Sequence, residues 1–485
     1  MAPAKLTPAV VAREREQALL EEILSSDQPE LVAVWGRRRI GKTFLIRNGR
    51  SVQGPYFELV GTKDGDVRNQ LGNFSRSLSE TFHDGITLMH PTSWSAAFAE
   101  LRQAITKRPP SAQPITLFFD EAPWLDSRRA GFLTALEHFW NSWASTQSHV
   151  KVIVCGSSAS WILNKVVNGK GGWHRRVTRR IHLRPFTLAE SGIYLRSRGV
   201  SFAPRDLIEI YMVFGGTAAY LKEVKRGEAS AIAISRLCLQ KDAVFSNEYH
   251  ELFHSLFLSA AHHMKMVEAL ATTKAGRTKT ELRSATKLSG RQFTEILANL
   301  EQSDFVDSYL PFGKSAAKDT RYRLTDFFVL FHLRWMKRAR RTTGWTSLQS
   351  TPSYRAWAGH SFETLVWNHI GGLLSEIGLQ NAPVNVSTFD YRASDANDES
   401  AQIDLLIDVE KGSLYIIEIK HYLKTYEVTK TERSHLLRRK RVLQQETKHQ
   451  RTVFIQLISS SGVKANVHSK EVVDFIYPLK CLLSS

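Results

Sequence analysis

Cysteine is scarce in this chain: three residues in 485, at positions 155, 238 and 481, with no Cys-x-x-Cys spacing. That excludes a disulfide framework and a cysteine zinc site, and it fits a reducing compartment. Long apolar runs are missing too. No window approaches the roughly 18 uninterrupted apolar residues of a membrane span, and the opening residues MAPAKLTPAVVARERE lack the apolar core of a signal peptide. The expectation is a soluble, cytoplasmic protein with no membrane partner. There is no internal repeat and no long low-complexity segment. Acidic residues are under-represented relative to basic ones: 47 Asp and Glu against 65 Lys and Arg give a formal net charge of +18. Such an excess favours a polyanionic partner, nucleic acid or an anionic membrane surface, although a solubilising basic surface gives the same figure. No amphipathic anchor supports the membrane option, so nucleic acid is the expected partner, DNA in particular.

What is present is ample material for packed cores. Hydrophobic residues make up 42% and aromatic residues 10%, and a prior of roughly 150 residues per domain suggests about three domains. Apolar runs recur at 31–35, 55–61, 115–120, 151–156 and 180–186, with helix-like material between them. Their continuous rather than alternating apolarity predicts strands covered on both faces, hence a parallel α/β sheet.

Between the first run and the helix that follows lies Gly36-Arg37-Arg38-Arg39-Ile40-Gly41-Lys42-Thr43. Gly36 and Gly41 permit the backbone angles that turn successive N–H groups inward as an anion nest, and the helix start adds its positive dipole end. In this pattern Lys42 reaches the β- and γ-phosphates and the Thr43 hydroxyl holds Mg²⁺. The run ITLFFDEAPWL ends in two carboxylates. Asp120 is expected to hold Mg²⁺, mostly through water, and Glu121 to polarise the attacking water. VCGSSASW puts Ser157 and Ser158 at a strand's carboxyl end, where one of them can sense the γ-phosphate. The segment GKGGWHRRVTRRIHLRPF follows, rich in the cation suited to phosphate; a nucleic-acid contact or a solvated loop competes for the same arginines. ATP with Mg²⁺ is the expected cofactor pair.

Downstream the pattern changes. Residues 255–271 predict one helix, TKTELRSATK a second with a Thr278/Glu281 capping box, and RQFTEILANLEQ a third after Ser289. FVDSYLPFG and TRYRLTD then read as an alternating pair. Three helices and a hairpin is the winged-helix order. The basic stretch 336–345 reads as a linker or hinge. From about 350 the chain returns to mixed α/β character, with a helix at SFETLVWNHIGGLL, strands IDLLIDVE and SLYIIEIKHY joined by a turn over residues 410–412, a basic helix HLLRRKRVLQQ and a strand TVFIQLIS.

In this last block Asp404 sits early in one strand, and Glu418 and Lys420 lie two apart in the next, hence on one face. An acid and a lysine among isoleucines are costly to bury unless a cation or substrate compensates. Carboxylates of this kind hold Mg²⁺ or Mn²⁺, and the lysine can activate water for attack on a phosphodiester. Arg438, Arg439, Lys440 and Arg441 on the following helix are then expected to contact phosphates.

Two resemblances follow from these residues. GRRRIGKTFLI, FDEAPWL, GSSASW, the glycine–arginine segment with RPFTLAE, and GGTAAYL resemble the archaeal-type ATPase family, of the AAA+/STAND branch of P-loop NTPases. The resemblance implies a sheet of order 5-1-4-3-2, a helical lid and a winged helix. VAREREQALL is similar to that family's Gly-Arg-Glu box, with Ala12 in the glycine's place, and Ala218 stands where proline is usual. GWHRRVT matches the family's Gly-x-x-x-Arg-x-Thr, which makes Arg176 the arginine-finger candidate. The pattern Asp404, then Glu418-x-Lys420, resembles the PD-(D/E)xK nuclease core, with Ile403 where the name has proline. That core implies an acid on the preceding helix, a place that Glu363 fits.

The expected fold is multidomain α/β: a P-loop NTPase domain with the start of a helical lid over 1–225, the lid and a winged helix over 226–340, and a restriction-endonuclease-like α/β domain over 341–485. The expected function is ATP binding and hydrolysis coupled to a metal-dependent, DNA-cutting tail, in a homo-oligomer, with defence against foreign DNA or mobile elements as the setting. The alternative is a STAND-type signalling switch whose tail binds DNA or protein without cleavage.

Overall fold

In the computed structural model the described residues are 9–49, 54–108, 113–127, 130–169, 171–337, 344–393, 399–410 and 412–483. The expected hinge at 336–345 falls largely outside them, as does Lys411 in the turn after the first tail strand. The chain divides into two compact units, Met1–Pro185 and Phe186–Ser485. Among the described residues no helix is long and apolar enough to cross a membrane.

The first unit is built on a five-stranded parallel sheet: β1 Glu30–Trp35, β2 Tyr56–Val60, β3 Ile115–Asp120, β4 Val150–Gly156 and β5 Arg179–His182. The spatial order is β2-β3-β4-β1-β5, the order that the ATPase resemblance implied. Every residue of β1, β3 and β4 is buried, which is why their sequences run apolar without alternation. The strand period of two sorts them. Leu31, Ala33, Leu117, Phe119, Val152 and Val154 join a core with Trp94, Phe98 and Phe132. Val32, Val34, Phe118 and Ile153 face a second core with Leu20, Ile23 and Ile46. With both faces covered, ligands of such a sheet bind outside the strands' carboxyl edge.

The second unit begins with helices. Leu188–Ser197 starts at a capping box between Thr187 and Glu190. In Pro204–Phe214, buried Glu209 accepts from Ser230 Oγ (3.0 Å), Trp345 Nε1 (2.9 Å) and the Tyr354 hydroxyl (3.2 Å). The helix expected over 255–271 is two helices, Glu248–Leu256 and Ala260–Leu270. The break gives Phe257 a stacked position on His263, ring centroids 3.9 Å apart. Helices Lys279–Thr286, with the Thr278/Glu281 capping box, and Gly290–Gln302 follow. A small antiparallel sheet closes this part: β6 Arg277–Thr278, β7 Val306–Tyr309 and β8 Arg321–Leu324, in the order β6-β8-β7. The two-residue β6 was not legible in the sequence.

A separate mixed sheet forms the rest. The helix Pro352–Asn368 precedes β9 Val384–Tyr391, β10 Ala401–Val409 and β11 Leu414–Lys420. The helix Lys430–Glu446 then crosses to β12 Val453–Ser459, and β13 Phe475–Tyr477 completes the order β13-β12-β11-β10-β9. β9, β10 and β11 pair antiparallel; β11, β12 and β13 pair parallel. The register of β10 on β9 shifts between Ile403 and Leu406. Two residues there oppose one on β9, a bulge that re-aims a side chain. Asp404 sits on it.

Candidate functional site

The phosphate-loop residues lie at the carboxyl edge of the parallel sheet. Gly36 has φ 151°, and a Cβ there would meet the Leu183 carbonyl oxygen at 2.1 Å, so nothing larger fits. Arg39 and Gly41 are left-handed, φ 69° and 99°, the alternation that turns backbone N–H groups toward one point. Ile40 packs with Leu45 and Leu183, and its carbonyl accepts from the Arg13 guanidinium at 3.4 Å. Arg37 is buried and Arg38 half-buried.

Lys42 opens the helix Lys42–Asn48 and is itself buried. Its Nζ donates to the Arg37 carbonyl at 3.0 Å and to Ser157 Oγ at 2.9 Å. Thr43 Oγ1 donates to Asp120 Oδ2 at 2.6 Å, and the other oxygen, Oδ1, accepts from the Glu121 amide at 3.0 Å. Glu121 accepts from Ser157 twice, from the amide at 3.0 Å and from Oγ at 2.5 Å. It holds a left-handed backbone, φ 47°, strained for a residue with a side chain. So one hydrogen-bonded cluster brings together Lys42, Thr43, Asp120, Glu121 and Ser157. Ser158 instead faces Ser160, 3.5 Å away, which separates the two serines that sequence alone left equal. Arg176 is not in the cluster. It is exposed, in the turn after Trp173, where its amide donates to the Trp173 carbonyl at 3.2 Å. Thr43 and Asp120 present adjacent hard oxygens, the donor set Mg²⁺ takes.

The second set of residues lies on the mixed sheet. Glu418 and Lys420 share a face of β11 and pair at 2.7 Å. The other Glu418 oxygen accepts from Arg439 at 2.5 Å. Three cations of the basic helix expected to contact phosphates have carboxylate neighbours. Arg439 holds Glu418, Arg441 holds Glu399 at 2.5 Å, and Lys440 lies 4.0 Å from Asp474. Burial works against the Lys420 ammonium, but Glu418 and Glu432 outweigh it and raise its pKa. Glu363, on the helix Pro352–Asn368, meets Lys274 at 3.2 Å and His360 at 3.8 Å. Burial pushes its carboxyl up, and those two partners bring it below the usual range.

Asp404 is open to solvent on one side yet sits in the wall of a cavity of about 500 Å³ with Glu363. The surrounding protein first, then Glu363 and Glu418, raise its pKa, so the three carboxylates sense one another. They do not converge: among the described residues no three His, Cys, Asp or Glu side chains are grouped to hold a metal ion. Sequence reasoning missed Lys274, His360 and Arg323, whose positions carry no motif.

Residues 10–224 match a family model described as an ATPase domain predominantly from Archaea. An uncharacterized protein of Methanocaldococcus jannaschii is 24% identical over 328 residues, 67% of this chain and 68% of its own. Among solved structures, a Walker-type ATPase of Pyrococcus abyssi is similar at 19% identity and TM-score 0.51, over 67% of this chain and 96% of that one. The ORC2 protein of Aeropyrum pernix, solved as ADPNP–ADP complexes, is similar at 15% identity and TM-score 0.45, over 68% of this chain and 94% of that one. The match over residues 10–224 to an archaeal-type ATPase domain, with the P-loop ATPase-like fold of the N-terminal part, supports ATP binding and hydrolysis.

Proposed function

We propose that this protein hydrolyses ATP at the Lys42 cluster and uses it to govern a metal-dependent nuclease-like tail that acts on DNA. In this reading Lys42 binds the β- and γ-phosphates, and Thr43 and Asp120 hold the Mg²⁺ that neutralises phosphate charge. Glu121 accepts the proton of the attacking water. Ser157, already between Lys42 and Glu121, reports the γ-phosphate to both. Arg176, exposed outside the cluster, serves as a finger offered to a second copy in a homo-oligomer.

The observation that carries the tail's reading is its topology. A helix bearing Glu363 precedes three antiparallel strands; Asp404 is on the second, at a bulge, and Glu418-x-Lys420 on the third. A crossover helix then leads to a parallel fourth strand. An acid on the preceding helix, then Asp404 and Glu418-x-Lys420 on successive strands, is what the PD-(D/E)xK resemblance implies, and this supports the reading. A divalent cation on Asp404 and Glu418, with Glu363 nearby, would supply charge stabilisation at the phosphodiester. Lys420 would orient the water and lower the cost of its deprotonation. The net charge of +18 fits a nucleic-acid partner. Defence against foreign DNA or mobile elements is the setting we favour.

One observation favours a second reading, a STAND-type switch whose tail binds without cutting. Both oxygens of Glu418 are taken by cations, Lys420 and Arg439. The test is cleavage of single-stranded, double-stranded and branched DNA and of RNA with Mg²⁺ or Mn²⁺, with and without ATP. The nuclease reading expects cleavage by wild type and none by Glu418→Ala; a wild type that cuts nothing leaves the switch.

A further inference from the structure

The cavity beside Asp404 is lined from two sources, and its charges are sorted between them. Five of its six Lys and Arg residues come from 274–323, the three-helix and hairpin segment, whereas three of its five Asp and Glu residues come from 363–404 of the tail. Cations of one part meet carboxylates of the other, as Lys274 meets Glu363 at 3.2 Å, an arrangement that suits a phosphodiester seated beside a carboxylate-bound cation. Arg323 is the fixed cation. It is buried, donates to Thr364 Oγ1 at 3.1 Å and lies 4.6 Å over the Trp367 ring, while its Nε finds no acceptor among the described residues. Lys274 is the accessible one, half-exposed on the Glu363 carboxylate. Phe312, half-buried at the wall, is tied to β9 by its amide on the Thr388 carbonyl at 2.8 Å and offers a ring near Phe389.

We propose that this cavity binds a single-stranded nucleic-acid segment, a phosphate seated on Lys274 and Arg323 and a base stacked on Phe312. A cavity of about 500 Å³ with a half-buried ring beside cations suits one unstacked base and its phosphate. Aromatic rings beside cations are what sequence-tolerant single-strand binding uses. The proposal rests on the nuclease-like reading for its purpose: the hairpin segment delivers the strand to Asp404 and Glu418. Its binding claim stands apart from cleavage.

The test is fluorescence anisotropy of a labelled single-stranded oligonucleotide on the full chain, with EDTA present to prevent cleavage, over a salt series. Phe312→Ala is expected to weaken binding about 5-fold or more. Lys274→Ala should weaken it and flatten the log–log salt slope by about 0.7, the value of one phosphate contact on a single strand. Duplex competitor should displace the label poorly. Lys274 is exposed and Phe312 packs partly on the tail core, so circular dichroism of each variant separates a lost contact from a lost fold. Wild-type affinity and slope in both variants, or displacement by duplex as effective as by single strand, would overturn the proposal. If these binding changes appear but wild type never cuts with Mg²⁺ or Mn²⁺, the nuclease reading alone is lost.

Discussion

The Lys42 ammonium and the Ser157 hydroxyl are 2.9 Å apart, although 115 residues separate them in the chain. That bond joins the phosphate loop to the end of β4, and through Ser157 Oγ to Glu121 at 2.5 Å. The group that senses phosphate and the group that would activate water are therefore linked by one side chain. Glu121→Gln is expected to keep nucleotide affinity while lowering kcat by about 10²- to 10⁴-fold. Ser157→Ala should lower kcat by about 10-fold, the scale of one lost hydrogen bond. Hydrolysis rates beside titration with a fluorescent ATP analogue separate the two; equal loss of binding and turnover in Glu121→Gln would remove it from the base's role.

Arg176 gives a prediction of another kind. As a finger acting on a neighbouring copy, Arg176→Ala should lower kcat by about 10³-fold or more with nucleotide binding intact. Mixing it with Lys42→Ala should restore part of the activity, because each supplies what the other lacks. Mixtures no more active than the separate variants would refute action between copies.

Ala12 occupies a glycine's place. Its φ is 58° and that of Arg13 is 64°, and the left-handed conformation costs a residue with a Cβ about 1–2 kcal/mol. Ala12→Gly relieves that strain but returns about 0.4–1 kcal/mol of freedom to the unfolded chain. A net gain of roughly 0.5–1 kcal/mol is expected, seen as a higher urea midpoint; a lower midpoint would contradict it.

Buried imidazoles set an acid limit on the second unit. Burial first, then His250 and Lys337, hold the His332 pKa down to about 4; burial, then Arg205, brings His421 to about 4. In the unfolded chain an imidazole titrates near 6.5. Below that pH the unfolded state binds protons the folded state refuses, so stability present above about pH 6.5 is lost as pH falls toward 4. At pH 5 the loss is about 2 kcal/mol for His332. His332→Phe keeps the ring that stacks on Tyr249, centroids 4.2 Å apart. The variant should show a smaller fall in Tm between pH 7 and pH 5 than wild type; an equal fall would exclude His332 as a source.

Legibility in the sequence followed burial. β1, β3 and β4 were readable because both faces are covered and the apolar run is unbroken. β9 mixes buried, half-buried and exposed positions and β13 spans three residues, so neither produced a run. The break at Phe257 carries no glycine or proline. Glu418 and Lys420 were legible as a strand pair two residues apart, whereas Lys274 and Arg323 reach the same cavity from a different part of the chain with no local signal. The partners of the basic helix were not legible for a related reason: four adjacent cations point in four directions around a helix, and composition does not say that Arg439 turns toward Glu418.

In the function proposed above, ATP at Lys42 governs phosphodiester cleavage at Asp404, Glu418 and Lys420. The most direct measurement is time-resolved cleavage of a labelled DNA substrate with Mg²⁺ or Mn²⁺, with and without ATP, by wild type, Lys42→Ala and Lys420→Ala. Expected are cleavage by wild type that changes with ATP, loss of that ATP response in Lys42→Ala, and no cleavage by Lys420→Ala while its ATP hydrolysis persists. Cleavage that survives Lys420→Ala at the wild-type rate would contradict that function.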